Sequence, residues 1–176
     1  MKFKKTKIKG VYIIEQEPKT DKRGYFTRLF CKKEMAVMGI DFNIVQINRS
    51  LTKKKGTIRG LHYQNAPGQE DKIIHCPKGE VYGVILDLRK NSATFGKWIF
   101  EILSEKNKKM ILVPKGCANG MQTLTDNCLL EYFMSEYYLP QSQAGIRWDD
   151  PAFKIKWPIK KTFISKKDKS WEYYKI

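Results

Sequence analysis

At 176 residues, with 41% hydrophobic and 12% aromatic content, the chain is sized for a single domain (residues 1–176) with a substantial core. Its formal net charge of +16 admits a nucleic acid, an anionic membrane, a phosphorylated small ligand or a general lysine bias. The lysines are scattered without arginine–aromatic interleaving, and no apolar run nears the ~20 residues of a membrane span, so neither nucleic acid nor membrane is an expected partner.

Residues 11–14 read as a short apolar strand. Asp21-Lys22-Arg23-Gly24 is a turn, and 25–30 a second strand. Residues 31–39 hold the one clear short helix, closed by Gly39. Residues 42–48 form another strand, on which alternation puts Gln46 and Asn48 on one face. The stretch Lys55-Gly-Thr-Ile-Arg-Gly-Leu-His-Tyr-Gln64 has strand character and carries one of the two histidines. A regular strand would send Arg59 and His62 to opposite faces, and Gly60 can supply a bulge that re-aims one of them. Strands follow over 72–75, 81–88, 98–103, 110–113, 121–124 and 128–138, with turns at Pro77-Lys-Gly-Glu80 and Pro114-Lys-Gly116. From Pro140 the tail is richer in turns and aromatics. Roughly a dozen short strands at this spacing predict an all-β sandwich or barrel with short peripheral helices.

The basic start, Met1-Lys-Phe-Lys-Lys-Thr-Lys7, is not followed by the apolar region of a signal peptide, so a cytoplasmic location is expected. Cys31, Cys76, Cys117 and Cys128 form no CxxC pair and fit reduced thiols. A zinc site would need closer ligands or more histidines.

His62 is the candidate general base, and His75 reads as a strand residue. A catalytic imidazole needs a carboxylate to fix its tautomer, for which Asp87, Asp149, Asp150 and Asp168 all qualify. Arg59 and Lys72 flank His62 in sequence and are candidates to stabilise charge on a substrate oxygen. Tyr132 on a late strand is a candidate acid or a core tyrosine. Pro114-Lys-Gly-Cys-Ala-Asn119 has the form of the second cupin metal motif, PxGxxH, with asparagine in place of histidine. His62-Tyr-Gln64 likewise replaces the His-x-His of the first. These substitutions predict a cupin-shaped barrel that holds no metal.

The chain resembles the dTDP-4-dehydrorhamnose 3,5-epimerase (RmlC) family over nearly its full length. The matching segments include Asp21-Lys-Arg-Gly-Tyr-Phe26, Gln46-Ile-Asn-Arg-Ser50, the 55–64 stretch, Lys72, Gly79-Glu-Val-Tyr82, Ser92-Ala-Thr-Phe-Gly-Lys-Trp98, Gly145-Ile-Arg-Trp148 and Ser165-Lys-Lys-Asp168. Arg-Gly-Leu-His-Tyr-Gln64 is the most specific of them. The resemblance implies a metal-free jelly-roll barrel, a homodimer, and inversion of C3 and C5 of a nucleotide-linked 4-keto-6-deoxyhexose without a cofactor. It implies His62 as base with Asp168, Tyr132 as acid on the other face, and Lys72 and Arg59 at the enolate oxygen or phosphates. Arg23, Gln46, Asn48 and Lys167 match positions that hold the nucleotide diphosphate sugar, some across the dimer.

Three positions depart from the family pattern. Asn119, expected among the substrate-binding residues, stands where the family usually has histidine, and Gly83 where it usually has aspartate, a pair that can meet in the site. Arg28 stands where glutamate is common and is expected to face the nucleotide base. An arginine there can donate to cytosine N3, so a CDP- or GDP-linked sugar is an alternative to dTDP. The Asn119 and Gly83 changes leave inversion at a single carbon, or a ketoisomerase, as alternative chemistries. A barrel that only binds nucleotide sugars is a further alternative.

Overall fold

The computed structural model describes residues 1–175. The first elements are β1 (Lys2–Lys5), β2 (Tyr12–Glu15), β3 (Lys19–Asp21), β4 (Gly24–Phe26) and helix α1 (Lys32–Val37). The central strands are β5 (Gln46–Thr52), β6 (Thr57–Gln64), β7 (Lys72–Lys78), β8 (Glu80–Asp87) and β9 (Trp98–Ser104). They are followed by β10 (Lys109–Val113), β11 (Cys117–Thr123), β12 (Cys128–Met134) and β13 (Gln143–Gly145). The chain ends through β14 (Phe163–Ile164) and α2 (Lys166–Lys169).

Two antiparallel sheets face each other as a jelly roll. One runs β1-β2-β10-β7-β12-β5, and the other β13-β6-β11-β8-β9 with β14 added in parallel to β6. β3 and β4 pair only with each other. Between the sheets, Ile74, Val81, Ile85, Leu103, Ile111, Met121 and Leu130 pack into an apolar floor. α1 and the 40–44 segment cover the outer face of the first sheet through Met35 and Phe42, both fully buried. The tail covers the outer face of the second through Ile146, Phe153 and Trp157. Both sheets are thus apolar on two sides over much of their area, which accounts for the near-continuous apolar run of β8.

Several boundaries differ from those the sequence suggests. The expected strand over 42–48 begins only at Gln46, where β12 ends opposite it at Met134. Phe42 serves instead as an anchor under α1. The expected strand over 25–30 is cut to Gly24–Phe26, because its only partner is the three-residue β3. Pro77 lies inside β7 rather than in a turn, and the corner is Gly79 alone at φ +81°. No group of three or more histidine, cysteine, aspartate or glutamate side chains among the described residues is placed to hold a metal ion. No helix among the described residues is long and apolar enough to cross a membrane.

Candidate active site

Gly60 bends the strand that carries the histidine. β6 pairs with β11 through His62 with Asn119 and Arg59 with Met121, so Gly60 and Leu61 together face Gly120 alone. That is a bulge, with Gly60 at φ +108°. A Cβ on Gly60 would lie 2.7 Å from the Asn119 carbonyl oxygen and 2.8 Å from Gly120 Cα. The extra residue resets the alternation, and Arg59 and His62 both line the cavity between the sheets.

That cavity holds about 220 Å³ and is bounded by Arg59, His62, Lys72, Asn119 and Tyr132 over the apolar floor. A second chamber of about 240 Å³ shares His62 and Lys72 with it and is lined by Gln46, Asn48, Glu70, Tyr138 and Gln143. His62 and Lys72 therefore stand at the junction of an inner and an outer space. His62 comes from one sheet, and Lys72 and Tyr132 from the other, so a flat ligand between the sheets meets the imidazole and the phenol from opposite sides.

Of the four candidate aspartates, Asp168 reaches His62, with 2.6 Å between Nε2 and Oδ1. Ser165 caps α2 by accepting from the Asp168 N–H, which fixes the carboxylate at the start of that short helix. Burial by itself would raise the Asp168 carboxyl. The His62 hydrogen bond and charge, helped by Ser165 and the Gly60 N–H, outweigh it and hold the group below the usual carboxylate range. An ionised Asp168 accepts from Nε2–H of neutral His62, which leaves Nδ1 with the basic lone pair. The other three aspartates are occupied elsewhere. Asp87 binds Arg89, Ser92 and Thr94, Asp149 binds Arg147, and Asp150 holds the Ala152 and Tyr174 N–H groups.

Burial raises the Tyr132 phenol above its ordinary value, and the neighbouring Ser50 hydroxyl and Arg59 charge offset this only in part. The group is a neutral proton donor at physiological pH. Tyr132 packs against the interior cluster while lining the cavity, so it is at once a core tyrosine and a site residue. Arg59 is held by Nε donating to Thr52 Oγ1 at 2.9 Å. Lys72 Nζ lies 2.7 Å from Glu70 Oε1, both side chains being buried, and Gln64 Nε2 donates to the other oxygen of Glu70 at 2.8 Å. Glu70 has no counterpart in the sequence reading, and it lies in the loop just before β7 rather than on a strand.

Gln46 donates to Asn48 Oδ1 at 3.1 Å in the outer chamber. Lys167 donates to Gln143 Oε1, which places its ammonium at the rim of that chamber. Arg23 and Arg28 stand apart. Arg23 projects from the β3–β4 turn with its side chain 90% exposed, and among the described residues it bonds Asp21 alone. Arg28 Nη1 donates to Glu34 Oε1 at 2.5 Å beside α1. His75 is buried between Glu131 and Gln16 at 3.2 and 3.1 Å and lines neither chamber.

The family model for dTDP-4-dehydrorhamnose 3,5-epimerase matches residues 5–175. The dTDP-4-dehydrorhamnose 3,5-epimerase of Methanothermobacter thermautotrophicus is 39% identical over 174 residues, covering 97% of this chain and 93% of that protein. The crystal structure of the Bacillus anthracis enzyme with TDP and PPi bound matches with a TM-score of 0.96 at 37% identity, over 98% of this chain and 99% of that one. RmlC of Legionella pneumophila, in complex with dTDP-4-keto-L-rhamnose, matches with a TM-score of 0.92 at 36% identity, over 98% and 92%. By sequence over nearly its whole length and by fold, the chain belongs to the dTDP-4-dehydrorhamnose 3,5-epimerase family.

Proposed function

We propose that this chain epimerises a nucleotide-linked 4-keto-6-deoxyhexose, with the sugar in the inner chamber and the diphosphate and nucleoside toward the outer one. The ketone acidifies the C–H bonds on either side of it. Nδ1 of His62 takes one of these protons, and the bonding pair moves onto the carbonyl oxygen to form an enolate. Lys72, with Arg59 nearby, stabilises the negative oxygen. The imidazolium that forms is stabilised by the buried Asp168 carboxylate. The Tyr132 phenol then gives a proton to the carbon from the opposite side, which inverts it. Each step is a proton transfer between positioned side chains and needs no cofactor.

The observation that carries this reading is the His62–Asp168 pair facing Tyr132 from the opposite sheet across one cavity. The test is incubation with dTDP-4-keto-6-deoxyglucose in deuterium oxide, followed by NMR. Two incorporated deuterons mean inversion at both carbons, one means a single centre, and none overturns the enolate mechanism for that sugar. The nucleotide is tested separately. Tighter binding of CDP or GDP than of dTDP would assign Arg28 to base selection, and the reverse would remove that role.

The same reading includes a homodimer. Tyr25 and Phe26 are exposed on the isolated β3–β4 hairpin, and Ile47 and Leu51 are exposed on β5, the open edge of the first sheet. A second copy covering these groups would bring the Arg23 hairpin to another protomer's outer chamber. A cytoplasmic location goes with this reading, because sugar nucleotides are made there.

A further inference from the structure

Gln64 ends the Arg-Gly-Leu-His-Tyr-Gln64 segment, yet the proton-transfer set makes no use of it. Gln64, Glu70 and Lys72 are all buried, and hydrogen bonds join them in a row. Lys72 Nζ lies 2.7 Å from Glu70 Oε1, and Gln64 Nε2 donates to Glu70 Oε2 at 2.8 Å. The Gln64 carboxamide is fixed in orientation. Its Oε1 accepts from the Leu139 N–H at 2.8 Å, and its Nε2 also donates to the carbonyls of Gly68 and Tyr137 at 2.7 and 3.2 Å. Both neighbours of Glu70 are therefore donors, and both of its oxygens must accept. An ionised carboxylate does this, whereas a carboxamide satisfies only one of the two neighbours.

Among the described residues Glu70 is the one ion-pair partner of Lys72. The adjacent Asp71 carboxylate is engaged elsewhere, accepting from the Lys115 N–H at 2.7 Å. The other titratable groups that share a chamber with Lys72 are Arg59, His62, Tyr63, Tyr132 and Tyr138, none of them anionic at neutral pH. Without Glu70 the ammonium would be a buried charge with no counter-charge, which is costly. Lys72 has three N–H donors. The bond to Glu70 occupies one and leaves two for a ligand oxygen.

We propose that Glu70 is a positioning residue for the reaction, which keeps the Lys72 ammonium charged and aimed at the substrate oxygen. Glu70 acts through Lys72 and touches no reacting atom. Gln64 extends the same device to the outer chamber. It fixes the second oxygen of Glu70 and also holds residues 137 and 139 on either side of Tyr138, which lines that chamber. The direction of the inner cation and the wall of the outer space are thus set by one buried carboxamide. The inference rests on the epimerase reading above and assigns the group that holds its cation.

Glu70→Gln, Lys72→Met and the double variant test it with dTDP-4-keto-6-deoxyglucose. KM, kcat and solvent deuterium exchange are measured across the neutral and alkaline range, together with melting temperature. In Glu70→Gln, kcat should fall roughly 10–100-fold, the range for a buried donor that loses its partner, with KM changed by less than about threefold. The alkaline limb of its kcat profile should move down by about one pH unit or more, since an uncompensated buried ammonium gives up its proton more readily. A merely loosened loop would instead lower the profile evenly and raise KM. In the Lys72→Met background, Glu70→Gln should cost less than about a further threefold, because its effect runs through Lys72. The double variant removes both charges and should melt above either single variant, a comparison that holds even if Glu70→Gln does not fold. A wild-type kcat and alkaline limb in Glu70→Gln, effects on kcat that multiply independently, or a double variant less stable than both singles would each overturn the positioning role alone. A wild-type chain that exchanges no deuterium would overturn the epimerase reading, and the melting comparison would still decide whether Glu70 and Lys72 act as a pair.

Discussion

Asp168→Asn separates the charge of the His62 partner from its shape. The substitution keeps volume and planarity but removes the negative charge that stabilises the imidazolium. The hydrogen-bonded atoms are 2.6 Å apart, which puts the centres of charge about 4 Å from each other. At an effective dielectric of about 20 that interaction is about 4 kcal/mol, or roughly 10³-fold in rate at 1.36 kcal/mol per decade. The His62 side chain is 33% exposed, so solvent screening lowers the expected loss to roughly 10²–10³-fold. A second effect acts in the same direction. If the new amide donates to Nε2, the imidazole proton moves to Nδ1, and the basic lone pair is turned away from the substrate. The assay is the initial rate of solvent deuterium incorporation into the 4-keto sugar nucleotide, with kcat measured in parallel. A rate within about threefold of wild type would refute the dyad. The stability profile gives an independent check. Because the Asp168 carboxyl is held low in the folded chain, its contribution is full above the unfolded value of about 3.9 and is lost as pH falls through that value toward the folded one. The variant should therefore show a shallower acid limb in pH-dependent melting.

Tyr132→Phe should leave deuterium exchange on the His62 side largely intact and reduce inversion, which NMR of the product's ring protons resolves; equal loss of both would remove Tyr132 as the acid. Gly60→Ala should cost about 2–5 kcal/mol, from strain at positive φ and the clash with β11, read as a fall in melting temperature. His75 is held below its ordinary value by burial, which its Glu131 partner only partly offsets. Unfolding therefore takes up a proton as pH falls through the unfolded histidine value of about 6.5, and stability should decline below that pH. His75→Gln should flatten this dependence in urea titrations at pH 5.5 and 7.5 without loss of epimerase activity.

The strands were legible because both sheets carry regular apolar patterning, and the bulge because a glycine separates two functional residues of opposite phase. The partner of His62 was not legible from spacing, and only the family resemblance pointed to it. Four aspartates qualified, and the one that reaches His62 lies 106 positions further along the chain. Asp168 sits on a four-residue helix, too short to show periodicity. Tyr132 was ambiguous for a different reason. Its aromatic body belongs to the core and its hydroxyl to the cavity, so neither residue type nor alternation distinguishes the two roles. Glu70 was missed because a carboxylate beside a lysine reads as a surface pair, and only burial shows that it holds Lys72 in place. Arg28 illustrates the limit of motif comparison. Its residue type suggested base recognition, yet within one protomer its guanidinium is bound to Glu34, which also holds the Met1 amino group.

The location of Arg23 leads to a test of how the site is completed. The proposed catalytic set comes from β6, β7, β12 and α2 of one chain, whereas Arg23 lies on an exposed hairpin that lines neither chamber of that chain. Phe26 on the same hairpin is 71% exposed, a poor position for a large aromatic ring unless another surface covers it. If a second protomer supplies that surface, a twofold dimer exchanges hairpins symmetrically, and each site combines one chain's dyad with its partner's Arg23. Two variants that are each impaired should then complement. His62→Ala keeps the hairpin but lacks the base, and Arg23→Ala keeps the base but lacks the diphosphate contact. Random pairing on co-expression makes about half of the dimers mixed. In each mixed dimer one site has His62 from one chain and Arg23 from the other, so about a quarter of all sites are restored. The measurement is kcat/KM of the co-expressed mixture against the two variants assayed separately. Recovery toward a quarter of the wild-type value supports exchange of the hairpin. If Arg23 acted within its own chain, no mixed dimer would hold an intact site, and the mixture would only average its components.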